Sequence, residues 1–323
     1  MNKHISVVHL LSGILFFILL SSSCRKEGLD DFPQGPPDEF VRQFVDELNT
    51  DTLEKNVQWL QSYNSRFFLN NNRKQIALDI MKMFIRFGYT DVRIDSFNMT
   101  ATWNDNDYNT WQYNVIARLE GSAYPENIYV AGAHYDCISE TTDPFLSAPG
   151  ANDNASGVAG ILEMARVMKR KGFVPESTIE FVAFAAEEYE LNGSEDYAGK
   201  ARSDNLNIVM MLNHDMIANE TATDPSDWTL MVMNYLNSAE LRTKYVNCGK
   251  TYTKLNFSQY NQYNTTGDSY SFYKKGYRAL FMLCNSTDQY YHTADDIADH
   301  YNFPYCREVT AVSLSFLVQE TKL

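Results

Sequence analysis

Two hydrophobic periods alternate along the chain. Apolar residues recur at helical spacing over 39–63 and again over 73–87, where Gly88 stops the run. β-Branched and aromatic residues then mark strands at 91–99, 111–119 and 127–133. A helix is predicted over 156–171, closed by Gly172, and a nearly unbroken apolar strand over 178–185. A helical stretch near 194–200 follows, then strands over 208–213 and 228–234 and a helix around 238–248. The last part holds a strand near 254–259, a short helix after Asp268, a strand over 278–284 and a terminal helix after Pro304. Strands apolar on both faces and alternating with helices predict a single α/β domain, a mixed and mainly parallel sheet covered by helices on both sides. In such sheets ligands bind beyond the carboxyl ends of the strands.

The first residues read differently. Lys3 and His4 precede an apolar run over 5–20 that ends in three serines and Cys24, the layout of an export signal. The run is interrupted by Ser6, His9 and Ser12 and is shorter than the roughly 20 residues a spanning helix needs. The small residues before Cys24 resemble a loose bacterial lipobox, so 1–24 is expected to direct export and to leave a lipid on Cys24; plain secretion is the alternative. Residues 25–38, rich in Pro and Gly among charges, read as a flexible tether, and the folded domain is expected over 39–323. The 44% hydrophobic content of the whole chain suffices for one substantial core. The formal charge of −14, without any basic run, argues against nucleic-acid binding. Cys137, Cys248, Cys284 and Cys306 remain; nothing selects among their three complete pairings or separates pairing from free thiols in the core.

Chemistry collects where the predicted strands end. His134 and Asp136 close the strand over 127–133, and a histidine there is ordinarily a hydrogen-bonded bystander. The small-residue stretch 149–157 then carries Asp153 into a helix, either as a ligand held on a stiff segment or as one of several residues able to cap it. The apolar strand over 178–185 delivers two adjacent acids, Glu187 and Glu188. Neighbouring side chains on an extended chain point apart, so one can hold a metal while the other faces the attacking water; an exposed acidic turn is the plainer reading. Asp215 follows another apolar strand, and His292 follows the strand ending at Cys284. His134, Asp153, Glu188, Asp215 and His292 form a nitrogen and oxygen set that suits two zinc ions better than a thiolate site. Five ligands for two tetrahedral ions call for a shared carboxylate, for which Asp153 is the choice.

The ordered series HYD, GANDNASG, AAEE, LNHDM and YHTADD resembles the zinc exopeptidase family that contains bacterial leucyl-type aminopeptidases. The resemblance runs from about residue 73 to the C-terminus and implies an eight-stranded mixed sheet between helices. It implies His134 and Asp215 on one zinc, Glu188 and His292 on the other, Asp153 between them, and Glu187 as general base. Asp136 would hydrogen-bond the outer nitrogen of His134. The segment 266–272 resembles the family's Ser-Asp-x-x-x-Phe stretch, with Thr266 and Gly267 before Asp268. Tyr291 stands where some members use a tyrosine to donate to the oxyanion; packing alone would also account for an aromatic residue there. The implied reaction is removal of N-terminal residues from peptides bearing a free α-amine. The alternative within the fold is a one-zinc glutaminyl cyclase, against which stand the adjacent glutamates, the triplet 152–154 and Tyr291. A non-catalytic binding ectodomain, the remaining reading, would lack ligands that are all present here.

Overall fold

The structure is a computed structural model and describes residues 36–259 and 264–322. The expected export signal with Cys24, and the expected tether up to residue 35, lie outside the described residues. Among the described residues no helix is long and apolar enough to cross a membrane. Asp38, assigned to the tether, is tied down: its side chain accepts from the Phe40 amide as the N-cap of the first helix, and its carboxylate pairs with Lys322.

Eight strands form one mixed sheet in the order β1-β2-β4-β3-β5-β8-β6-β7. They are β1 (Asp91–Trp103), β2 (Asn106–Leu119), β3 (Tyr124–His134), β4 (Ser177–Phe184), β5 (Asn207–His214), β6 (Thr229–Asn234), β7 (Asn256–Ser258) and β8 (Ala279–Cys284). The centre, β4-β3-β5-β8, is parallel. The β1-β2 hairpin joins β4 antiparallel on one side, and β6 joins β8 antiparallel on the other.

The helices are α1 (Glu39–Val45), α2 (Thr50–Gln61), α3 (Arg73–Arg86), α4 (Gly157–Arg170), α5 (Asn192–Ser203), α6 (Ala239–Tyr252), α7 (Asp268–Lys274) and α8 (Phe303–Thr321). Alternate residues of β4 feed two cores. Phe181 and Ala183 join the larger core with Ile161, Leu162, Phe84 and Leu314, whereas Val182 and Phe184 join Tyr197 of α5 and Phe272 of α7 on the other face. Every residue of β4 is buried, and its second half, 181–184, is apolar without alternation. Each such Phe or Val contributes about 2 kcal/mol of transfer free energy.

Two expectations are revised. The run 39–63 splits into α1 and α2, the second capped by Asn49, whose side chain accepts from Thr52. The strands at 91–99 and 111–119 extend until they meet at Asn104 and Asp105, which hold φ of 49° and 60°. Asn and Asp tolerate that left-handed turn, and the polar, exposed end of the hairpin hid the strand period. The four cysteines of the domain, Cys137, Cys248, Cys284 and Cys306, are buried free thiols.

Candidate metal centre

The exits of β3, β4 and β5 each aim a side chain at one cleft. His134 is the last residue of β3, Asp215 follows the last residue of β5, and Glu187 lies three residues beyond β4. Three bends pass through left-handed residues other than glycine: Ala186 before the glutamates (φ 54°), Met216 after Asp215 (φ 49°) and His292 itself (φ 55°). Such residues cost conformational energy and cluster where the surrounding structure fixes a functional geometry.

The Glu187-Glu188 pair is neither on an extended strand nor on an exposed turn. Asp136 accepts hydrogen bonds from both amides, at 3.0 Å from Glu187 and 3.2 Å from Glu188, so the pair is held in a buried turn. That changes the part expected of Asp136. Its backbone carbonyl, 3.1 Å away, takes Nδ1 of His134, while its carboxylate is 3.7 Å from that nitrogen. The carboxylate orders the glutamates and the carbonyl orients the histidine.

Asp153 comes from the irregular segment between β3 and α4, across a cis Asp153–Asn154 bond. The helix-capping reading goes to its neighbour: Asn154 Oδ1 accepts from the Gly157 amide at 2.9 Å, and its Nδ2 donates to His214 O at 2.8 Å. A Cβ on Gly157 would lie 2.3 Å from that same His214 carbonyl, so only glycine lets the loop approach the end of β5. The side chain of Asp153 is thereby left for the cleft.

Five of the predicted residues meet within a few ångströms. His134 Nε2 is 3.2 Å from Asp153 Oδ1 and 3.4 Å from Asp215 Oδ1. His292 Nε2 is 3.3 Å from Asp153 Oδ2 and 3.1 Å from Glu188 Oε2. Ligating atoms of His134, Asp153 and Glu188, and of His134, Glu187 and Asp215, form two groups whose members lie within 4.8 Å of one another. Glu187 Oε2 stands 3.8 Å from His134 Nε2. Tyr291 is half exposed, its ring stacked on His292 at 3.7 Å, on the wall of a cleft of about 450 Å³.

This crowding perturbs every group. Burial, with further acids nearby, pushes Glu187 well above the ordinary carboxylate range; burial and Asp153 bring Glu188 to about 7; burial also raises Asp215. Asp153 moves the other way: despite burial, hydrogen bonds from His134 and His292 hold it low. Burial opposes protonation of His134, but Glu187 and Asp215 override it and raise the imidazole well above its usual value.

The residues fit a metal. Glu188 Oε1, Asp215 Oδ1 and His292 Nε2 are buried without an aligned hydrogen-bond partner, although ion-pair neighbours surround them. Carboxylates and imidazoles converging at such separations, unaligned for sharing hydrogens, are arranged as donors to a common cation.

Sequence reasoning gave no part to two further acids. Asp296 is buried and accepts from the amides of Asn152 at 2.7 Å and Asp153 at 3.0 Å, fixing the Asp153 loop from behind. Asp268, matched only as part of a segment, is fully buried at the start of α7, and burial raises it to about 7. The second acid of the YHTADD string was the available signal for Asp296.

The profile of peptidase family M28 matches residues 114–317. A probable zinc metalloprotease of Pyrenophora teres f. teres is 32% identical over 201 residues, covering 58% of this chain and 43% of that protein. The chain thus spans less than half the length of that relative. A probable aminopeptidase of Saccharomyces cerevisiae is 24% identical over 88% of this chain and 77% of its own length. In fold, the LapA aminopeptidase of Legionella pneumophila superposes with a TM-score of 0.74 at 20% identity, covering 92% of this chain and 77% of that one. The profile runs from the second strand into the last helix and takes in each strand exit that feeds the cleft: this chain belongs to peptidase family M28.

Proposed function

We propose that the chain is a two-zinc metallopeptidase of the aminopeptidase type, removing N-terminal residues from peptides. The observation that carries this reading is the division of Asp153, one oxygen facing His134 and the other His292. Donor separations of 3.1–3.4 Å on the two sides agree with the roughly 3.3 Å edge of a tetrahedron built on zinc bonds of about 2.0 Å. His134, Asp215 and Asp153 would hold one ion; His292, Glu188 and Asp153 the other.

Bound there, zinc supplies Lewis acidity, which lowers the pKa of water and polarises a carbonyl. The chain's own groups do the rest. Glu187, at 3.8 Å from His134 and outside those tetrahedral separations, is left to take the proton of the attacking water and return it to the leaving amine. Burial raises its pKa above the ordinary carboxylate range, which makes it a stronger base than a free glutamate. The Tyr291 hydroxyl donates to the developing oxyanion from the cleft wall. Glu187 and Glu190 line the cleft outside the residues that would hold zinc, and their carboxylates favour a substrate with a free α-ammonium.

Glu187→Gln tests the base. It should keep its zinc and lose about 10²–10⁴-fold in kcat; near-normal turnover with zinc bound removes Glu187 from that part. Substrate class is read with paired peptides, free and N-acetylated. Equal cleavage of both sinks the aminopeptidase reading and leaves a metallohydrolase, while one zinc per chain with pyroglutamate formation from glutaminyl peptides puts a cyclase in its place. Export by 1–24 with a lipid on Cys24 belongs to the same proposal, supported by the apolar run and the small residues before the cysteine. It predicts that the wild type, and not Cys24→Ala, incorporates labelled fatty acid in a bacterial host.

A further inference from the structure

Arg66 is 1% exposed, one of the largest fully buried side chains of the molecule. A guanidinium stays charged at any ordinary pH, so burying it demands that its donors be met. Here four backbone carbonyls take four of its five N–H groups. Nε donates to Tyr135 O at 2.7 Å; Nη1 donates to Pro149 O at 2.6 Å and Leu60 O at 3.2 Å; Nη2 donates to Gly150 O at 2.7 Å. Its own amide donates to Cys137 Sγ at 3.2 Å.

The identity of those carbonyls matters. Tyr135 lies between His134 and Asp136, while Pro149 and Gly150 open the segment that carries Asp153. The planar fork therefore joins the two segments that present His134 and Asp153 to each other. Gly150, at φ 52°, is shaped to the same contact: a Cβ there would lie 2.4 Å from Asp153 O, 2.5 Å from Cys137 Cβ and 2.8 Å from Arg66 Nη2. Just beyond, Asp296 takes the amides of Asn152 and Asp153. The segment is thus gripped by a cation on its carbonyls and, two residues on, by an anion on its amides.

We propose that Arg66 is a positioning residue of the metal centre: it fixes the separation of His134 and Asp153 before any metal arrives. This rests on the metal-centre reading above, and it adds that the site is preorganised by a buried cation that touches neither ligand nor substrate. Lysine cannot replace it, because one ammonium with three donors does not span carbonyls on both segments.

Two measurements test it. The first is zinc affinity and stoichiometry of wild type, Arg66→Lys and Arg66→Met, by competition with a chromophoric chelator, with melting of each protein with and without zinc. Arg66→Lys should bind zinc at least 10-fold more weakly, and its zinc-dependent gain in Tm should shrink. A purely structural part would lower Tm equally in both forms and leave affinity unchanged, and that result in a folded Arg66→Lys overturns the inference. The second uses wild type alone, so it stands if both variants fail to fold. Hydrogen exchange of the metal-free protein should show the amides of Tyr135 and Ala151–Asp153 as protected as those of β3 and β4. Fast exchange there, slowed only by zinc, would mean that the metal sets the geometry and that the grip of Arg66 and Asp296 does not preorganise the segment, which overturns the inference. Wild type that takes up no zinc removes the metal-centre reading and this inference with it, whereas normal uptake by both wild type and Arg66→Lys removes this inference alone.

Discussion

The two histidines of the cleft are held in opposite ways. His134 ends a central strand, its side chain is 1% exposed, and its outer nitrogen meets the carbonyl of buried Asp136. His292 lies on the loop after β8, its side chain is 14% exposed, and its outer nitrogen meets Glu140, whose own side chain is 73% exposed. One half of the centre is built into the sheet. The other half is carried on a loop that Asp296 anchors from within, while the imidazole itself makes its outer contact at the surface. A shared carboxylate, Asp153, couples a rigid half to a compliant one. For the two zinc ions proposed above, the expected consequence is unequal affinity.

The largest effect should come from removing each histidine in turn. His134→Ala strips the imidazole that faces Asp153, Glu187 and Asp215 together, and it should retain almost no zinc after dialysis. His292→Ala leaves that group intact and should retain about one zinc per chain. Both lose more activity than the roughly 10–100-fold typical of mutating an outer partner of a metal ligand. Metal content by mass spectrometry decides the matter: equal loss in the two variants breaks the comparison.

The rigid half was also the more legible in the sequence. β3, β4 and β5 are buried on both faces, so their apolar runs marked both the strands and the places where polar residues must mean something. What stayed hidden acts through backbone atoms. Asp296 grips amides of a segment 143 residues away, and Arg66 grips carbonyls of segments 69–84 residues away. No side-chain pattern records such partners. Asp136 was placed near His134 correctly, but its carboxylate is given to the glutamate amides, a detail fixed by the left-handed bend at Ala186.

A smaller effect should appear in how zinc stabilises the fold at different pH. Without metal, Glu188 is raised from 4.5 to about 7 by burial and Asp153, and His292 is raised from 6.5 to about 11 by Asp153 and Glu188 against the effect of burial. A folded-state pKa above the unfolded value gives stability that is complete below the unfolded value and is lost as pH rises through the folded one. The windows run from about 4.5 to 7 for Glu188 and from about 6.5 to 11 for His292. Asp153 is lowered from 3.8, so its contribution changes only in acid. Metal-free protein should therefore lose stability steadily between pH 5 and 9. Zinc takes the place of the protons, so its gain in Tm should grow over that range by several degrees, about 1 kcal/mol moving Tm by ~2–4 °C at this size. A gain independent of pH would mean that these groups are not the ones zinc displaces protons from.

The smallest effect sharpens the comparison most directly, because it sets the two outer partners side by side. Asp136 is buried and holds two amides besides orienting His134 through its carbonyl; Asp136→Asn should weaken zinc by about 10–100-fold. Glu140 reaches His292 Nδ1 at 3.2 Å from an exposed position, where solvent and salt screen it and ordering a long side chain offsets much of the attraction. Its amide also donates to His292 O at 2.8 Å, a bond that survives any change of side chain. Glu140→Gln should then cost only about threefold in affinity at the weaker zinc position, in line with the small worth of exposed pairs. Most of that difference should vanish in 0.5 M salt, since Gln keeps an acceptor and loses only the charge. If Glu140→Gln weakens zinc as much as Asp136→Asn does, and salt leaves the loss untouched, His292 is held as firmly as His134 and the asymmetry drawn between the two halves is wrong.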